Sequence, residues 1–88
     1  MEIILAEHAI FEATRRNIEE ALIRSMVLNP QQKLPSKKGR VIVQGIYHDQ
    51  SENKEMILRI VGKETGDSFK VITVYKTSKI KKYWKEGH

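Results

Sequence analysis

The stretch MILRIVGKETGDSFKVITVYKT, Met56 to Thr77, decides the fold. Met56 to Lys63 and Phe69 to Thr77 are rich in β-branched and aromatic residues, the composition of a pleated, half-buried surface. Between them Glu64 to Ser68 carries Gly66-Asp67 at its centre, a turn signal, so the stretch predicts an antiparallel hairpin. Strand alternation puts Met56, Leu58 and Ile60 on one side and Ile57, Arg59, Val61 and Lys63 on the other. In the second run Ile72 and Val74 share a face, with Val71, Thr73 and Tyr75 alternating against them. The simplest assembly sets Leu58, Ile60, Ile72 and Val74 against a helical layer. Arg59, Thr73 and Tyr75 then gather on the opposite, open face.

Upstream, Arg40 to His48 (RVIVQGIYH) reads as another strand and Asp49 to Glu55 as a hairpin-type loop. Gln31 to Lys38, polar and holding Pro35, is a loop or a short edge strand. Before Pro30 the period changes to helical. Ala6, Ala9, Ile10 and Ala13 form a narrow apolar stripe, with His8, Glu12, Arg15 and Arg16 opposite. Asn17 followed by Glu20 reads as a capped helix start, and Ile18, Ala21, Leu22, Ser25 and Met26 as the buried face of a second, antiparallel helix ending near Asn29. Downstream, Thr77 or Ser78 can cap a short final helix over Lys79 to Lys85. The expected fold is α+β: two N-terminal helices packed on a three- to four-stranded antiparallel sheet, then a short C-terminal helix, in a single domain over 1–88.

The 88 residues include 16 Lys+Arg and 11 Asp+Glu, with 40% hydrophobic residues, which supports a small folded core rather than disorder. Having no cysteine, the chain excludes a disulfide framework, a thiolate zinc site and a cysteine nucleophile. No apolar run approaches the roughly 18–20 residues of a bilayer span, and Met1 to His8 lacks the basic-then-apolar order of a signal peptide. A cytoplasmic protein with no membrane partner is expected. The charge is uneven: residues 1–29 carry −2 and residues 30–88 carry +7. Lys76, Lys79, Lys81, Lys82 and Lys85 crowd the end, with Tyr83 and Trp84 among them. Lysines neutralise phosphates and aromatic rings stack on unpaired bases, so this pattern points to nucleic acid. The plainer alternative is a solvated lysine face with both rings packed inward.

His8, His48 and His88 are far apart and show no ligand spacing with Asp or Glu, so neither a metal nor another cofactor is expected. His48-Asp49 reads as a surface pair and His88 as a loose terminus. Phosphate-cradling glycine motifs and a Gly-x-Ser-x-Gly elbow are missing. Metal-independent RNA cleavage has other needs: proton transfer and cations around the phosphate. His8 or Tyr75 can move the proton, and Arg59 with Lys63 or Lys79 can supply the charge. Arg59 sits mid-strand between aliphatics, so it must pair, with Glu12 or Glu64 as candidates, line a cleft or reach solvent.

His8-Ala9, Arg15-Arg16-Asn17-Ile18, the helix closing on Pro30, Gly39-Arg40 opening the sheet, and Val71 to Tyr83 (VITVYKTSKIKKY) occur in one order and spacing. In these the chain resembles a bacterial domain-of-unknown-function family allied to the RelE/ParE and BrnT-type toxins, from about Ala6 to Trp84. Glu12 departs from the pattern, standing where an arginine or similar group is expected. The resemblance implies a RelE-like fold and an endoribonuclease that cuts mRNA, free or on the ribosome, restrained by a small acidic antitoxin. Carried over residue by residue, it implies His8, Arg59, Thr73 and Tyr75, with Lys76 and Lys79 as phosphate contacts. Together with the charge pattern, the candidates are His8, Arg59 and Tyr75 for catalysis and Arg40, Lys63, Thr73, Lys76, Lys79 and Lys82 for RNA binding. Two other classes stay open: a module that binds RNA or DNA without cutting it, and a protein-interaction domain whose basic face meets an acidic partner segment.

Overall fold

The computed structural model describes residues 1–86. In chain order the elements are β1 (Glu2–Leu5), α1 (Glu7–Arg15), α2 (Glu20–Leu28), β2 (Gln32–Pro35), β3 (Val41–Asp49), β4 (Lys54–Thr65), β5 (Ser68–Thr77) and α3 (Ile80–Tyr83). The fold is α+β, as expected, but the sheet is larger and mixed. It has five strands in the order β1-β5-β4-β3-β2. The three long strands are antiparallel neighbours, and β2 is the short edge strand that Pro35 allows.

The strand missing from the sequence reading is β1, which pairs in parallel with β5, Glu2 against Ser68 through Leu5 against Val71. An apolar quartet running straight into a helix has no period of its own, and its pairing partner lies more than sixty residues away. Ile3 and Leu5 pack on the core, while Ile4 is exposed.

The helical layer and the inner sheet face enclose the core: Ala9 and Ala13 of α1, Ile23, Met26 and Val27 of α2, and Val43, Leu58, Ile60, Phe69, Val71 and Val74 of the strands. Leu58, Ile60 and Val74 therefore face the helices as expected, but Val71 takes the place assigned to Ile72. A β-bulge between Val61 and Gly62 is the cause: Val61 opposes Thr73 and Gly62 opposes Val71, so Ile72 is the extra residue and the alternation inverts beyond it. Gly62 is required there, because a Cβ would strike the Phe69 ring and come within 2.8 Å of the Lys70 carbonyl.

Both helices are turned relative to their expected stripes. Ile10 is 46% exposed, and the buried flank of α1 instead includes Glu12, whose carboxylate accepts from Arg15 at 2.7 Å and Arg16 at 2.8 Å. In α2 the bulky Ile23 and Val27 go inward and Ala21 and Ser25 outward, since burying branched side chains removes more apolar surface from water. Asn17 does not start α2. It ends α1, with a left-handed φ of 56°; Asn17 N–H bonds the Thr14 carbonyl and Ile18 N–H the Ala13 carbonyl. This is a Schellman motif, with Ile18 buried behind it. The final helix shrinks to four residues, its N-cap Lys79 held by a bond from its N–H to Thr77 Oγ1.

Candidate nucleic-acid interface

On the open face, strand register lines up Tyr75 of β5, Arg59 of β4, Gln44 of β3 and Gln32 of β2. Each side chain bonds the next. Arg59 Nη1 donates to Tyr75 Oη at 2.5 Å and Nε to Gln44 Oε1 at 2.8 Å, and Gln44 Nε2 donates to Gln32 Oε1 at 2.8 Å. Gln44 is fully buried, and Arg59 is 8% exposed. Neither Glu12 nor Glu64 reaches Arg59: the first pairs with Arg15 and Arg16, the second with Lys33. Among the described residues the guanidinium has no carboxylate partner, and Nη2 has no protein acceptor.

What covers the row is the segment Tyr83 to Lys85. The Tyr83 ring lies with its centroid 4.3 Å from the Arg59 guanidinium carbon and meets Tyr75 edge-on at 6.2 Å. Gln44 Nε2 also donates to the Tyr83 carbonyl at 2.9 Å. Gln32 holds Lys85 at both ends of its main chain, accepting from its N–H at 3.1 Å and donating to its carbonyl at 2.8 Å. Stacking of a cation on an aromatic face and full use of the amides satisfy groups that would otherwise be costly to bury.

Arg59 and Tyr75 are thus brought together. His8 is not brought to them: it is exposed on α1, in the layer that covers the sheet's other face, so the three-residue cluster does not form. Lys63 is exposed on the open face, and Thr73 is half-buried there. Lys70, overlooked in the sequence, stands directly opposite Lys63. Arg40, just ahead of β3, and Lys79 and Lys82 on the final segment are exposed, with Lys82 Nζ 5.2 Å from the Tyr83 centroid.

Lys76 is the clear correction among the RNA contacts. It opposes Leu58, hence faces the helical layer, and is buried with Asp49, Nζ to Oδ1 2.9 Å. Asp49 is no surface residue either: it also accepts from Tyr47 Oη, Ser51 Oγ and the Glu52 N–H, each at 2.8 Å. Burial works to raise this carboxyl, but the bonds from Lys76, Ser51, Tyr47 and Glu52 outweigh it and hold Asp49 well below the usual range. Burial, reinforced by the bond to Asp49, pushes the Tyr47 hydroxyl above its ordinary value.

A cleft of about 630 Å³ opens beside this cluster, between the α1–α2 turn and the β3–β4 loop, lined by Ile18, Leu22, Tyr47 and Asp49 among others. It lies on the helical side, away from Arg59, and the Asp49 oxygens in its wall are already bonded. The open face, with its uncommitted cations, is the better candidate. Among the described residues no group of three or more His, Asp or Glu side chains is arranged to hold a metal ion. No described helix is long and apolar enough to cross a membrane.

Gln44 has a signal in the sequence: it is one polar residue inside RVIVQGIYH, on the same alternate positions as Ile42 and Ile46. Gln32 had no such signal, lying in a polar stretch. Comparison of the chain with protein-family models, with characterised proteins and with solved structures finds no match.

Proposed function

We propose that this domain binds single-stranded RNA on the open face of its sheet and along the adjoining C-terminal segment. The observation that carries the reading is charge placement. Lys63, Lys70, Lys79, Lys81, Lys82 and Lys85 are all exposed and form no ion pair among the described residues. Lys63 and Lys70 are directly opposed on neighbouring strands, where like charges destabilise a sheet until an anion bridges them. The Arg59 guanidinium, with the Tyr75 ring beside it, adds a stacking surface of the kind that holds unpaired bases.

A labelled single-stranded oligoribonucleotide, titrated by fluorescence anisotropy in EDTA over a range of salt, tests this. Affinity should fall steeply with salt. Replacing Lys63 and Lys70 with Glu should weaken binding about tenfold or more and flatten the salt slope by roughly 0.7 for each phosphate left without its lysine. Salt-independent binding, or none, overturns the reading.

The hydrogen-bonded Arg59–Tyr75 pair favours a second reading, the metal-independent nuclease of toxin type that the resemblance implies, with an acidic antitoxin competing for the same lysines. Mapping RNA ends in the same EDTA reactions separates the two. A nuclease of this kind loses cleavage in Arg59→Lys and Tyr75→Phe but keeps it in His8→Ala, since His8 stands on the other layer.

A further inference from the structure

Resting on the RNA-binding reading above, we propose that Ile80–Lys85 is a displaceable cover over a nucleotide subsite formed by Gln32, Gln44, Arg59 and Tyr75, and that single-stranded RNA enters by displacing Tyr83. The cover occupies the row in the way a nucleotide can. Its ring lies on a guanidinium, 4.3 Å from centroid to carbon, as an unpaired base stacks on arginine. Its Lys85 main chain offers Gln32 an adjacent donor and acceptor, the pair that the edge of a uracil or guanine also presents. Beneath it lies a cation that, among the described residues, has no carboxylate partner and an unpaired Nη2, in position for a phosphate oxygen.

The cover is held lightly for something that buries a charge. α3 has four residues, too few to be helical by itself, and none of them is fully buried. No side chain from Ile80 to Lys85 belongs to the hydrophobic core. Its attachment is Tyr83 on Arg59 and against the edge of Tyr75, the half-buried Ile80 and Trp84, and three hydrogen bonds between its main chain and Gln32 and Gln44. Those bonds are to groups that water or a nucleotide can satisfy equally. Lys79, Lys81, Lys82 and Lys85 ride on or beside the cover, so approaching phosphates meet the moving element first.

The test uses the whole chain with a labelled ten-nucleotide oligouridylate in EDTA. If the cover is closed most of the time, freeing it tightens apparent binding by the inverse of the open fraction. Tyr83→Ala should then bind about three- to tenfold more tightly, and adding Arg59→Lys should cancel the gain. Amide exchange on the unaltered protein gives a readout without a variant: RNA should speed exchange of the Lys85 N–H, which Gln32 holds in the closed form. Tighter binding with faster Lys85 exchange supports the cover. Unchanged or weaker binding by Tyr83→Ala, or protection of the Lys85 amide by RNA, overturns it while leaving RNA binding intact. Equal opening by poly-glutamate overturns the nucleotide subsite in favour of an acidic protein partner. Absence of RNA binding in both proteins overturns the function itself.

Discussion

Arg59 and Lys76 are both cations in long strands of the same sheet, and their fates differ by the parity of one position. Arg59 emerges on the open face among amides and rings; Lys76 turns inward and is neutralised by Asp49. A buried pair of this kind is expensive to break, because removing one partner strands the other charge. Lys76→Met should therefore cost about 3–5 kcal/mol in urea denaturation, far more than the same change at exposed Lys79. Glu12 sets a pH dependence of known sign. Hydrogen bonds from Arg15 and Arg16 lower its pKa from the ordinary 4.5 to about 2. The stability it contributes is complete above pH 4.5 and is lost as pH falls toward 2. The urea midpoints of wild type and Glu12→Gln should converge across that window. A gap that stays constant with pH would show that the pair contributes nothing to folding.

Among the elements, the break between α1 and α2 and the β4–β5 bulge each turn on a backbone detail. Asn17 holds a left-handed conformation that closes the Schellman motif and lets Ile18 drop into the core. Asn17→Val should lower stability by about 1–2 kcal/mol, while Asn17→Gly stays within about 1 kcal/mol of wild type, as thermal melts would read. Equal melting of all three would place the turn's stability in Ile18 alone. The bulge at Gly62 re-aims the beginning of β5, bringing Phe69 and Val71 into the core and leaving Lys70 opposite Lys63 on the open face. One inserted residue thus serves packing on one side and charge display on the other.

Across the whole molecule the sheet separates two jobs. Helices α1 and α2 and the core lie on one face; the polar row, its cover, Lys63 and Lys70 lie on the other. Part of the positive charge of residues 30–88 is thereby displayed on the open face, through Lys63, Lys70 and the lysines on or beside the cover. Exchanging Lys79 and Lys82 for Glu should weaken binding to RNAs of every sequence about equally and reduce the salt slope, because phosphate contacts carry no base information. A loss confined to one RNA sequence would instead make these lysines base readers.

The class of the fold was written locally: Gly66-Asp67 between two β-branched runs makes a hairpin wherever it stands, Pro30 stops a helix, and alternation alone put Arg59 and Tyr75 on one face. These features depend on neighbours a few residues apart. Tertiary structure decided everything that needs partners far along the chain. It added β1 as a parallel strand, shifted β5 by one residue at the bulge, and took Lys76 out of solvent. It also separated His8 from Arg59 and laid Tyr83 over the row that Gln32 and Gln44 complete. Period tells which residues share a face of one element. Which faces meet is set by packing and by long-range hydrogen bonds, which no local pattern contains.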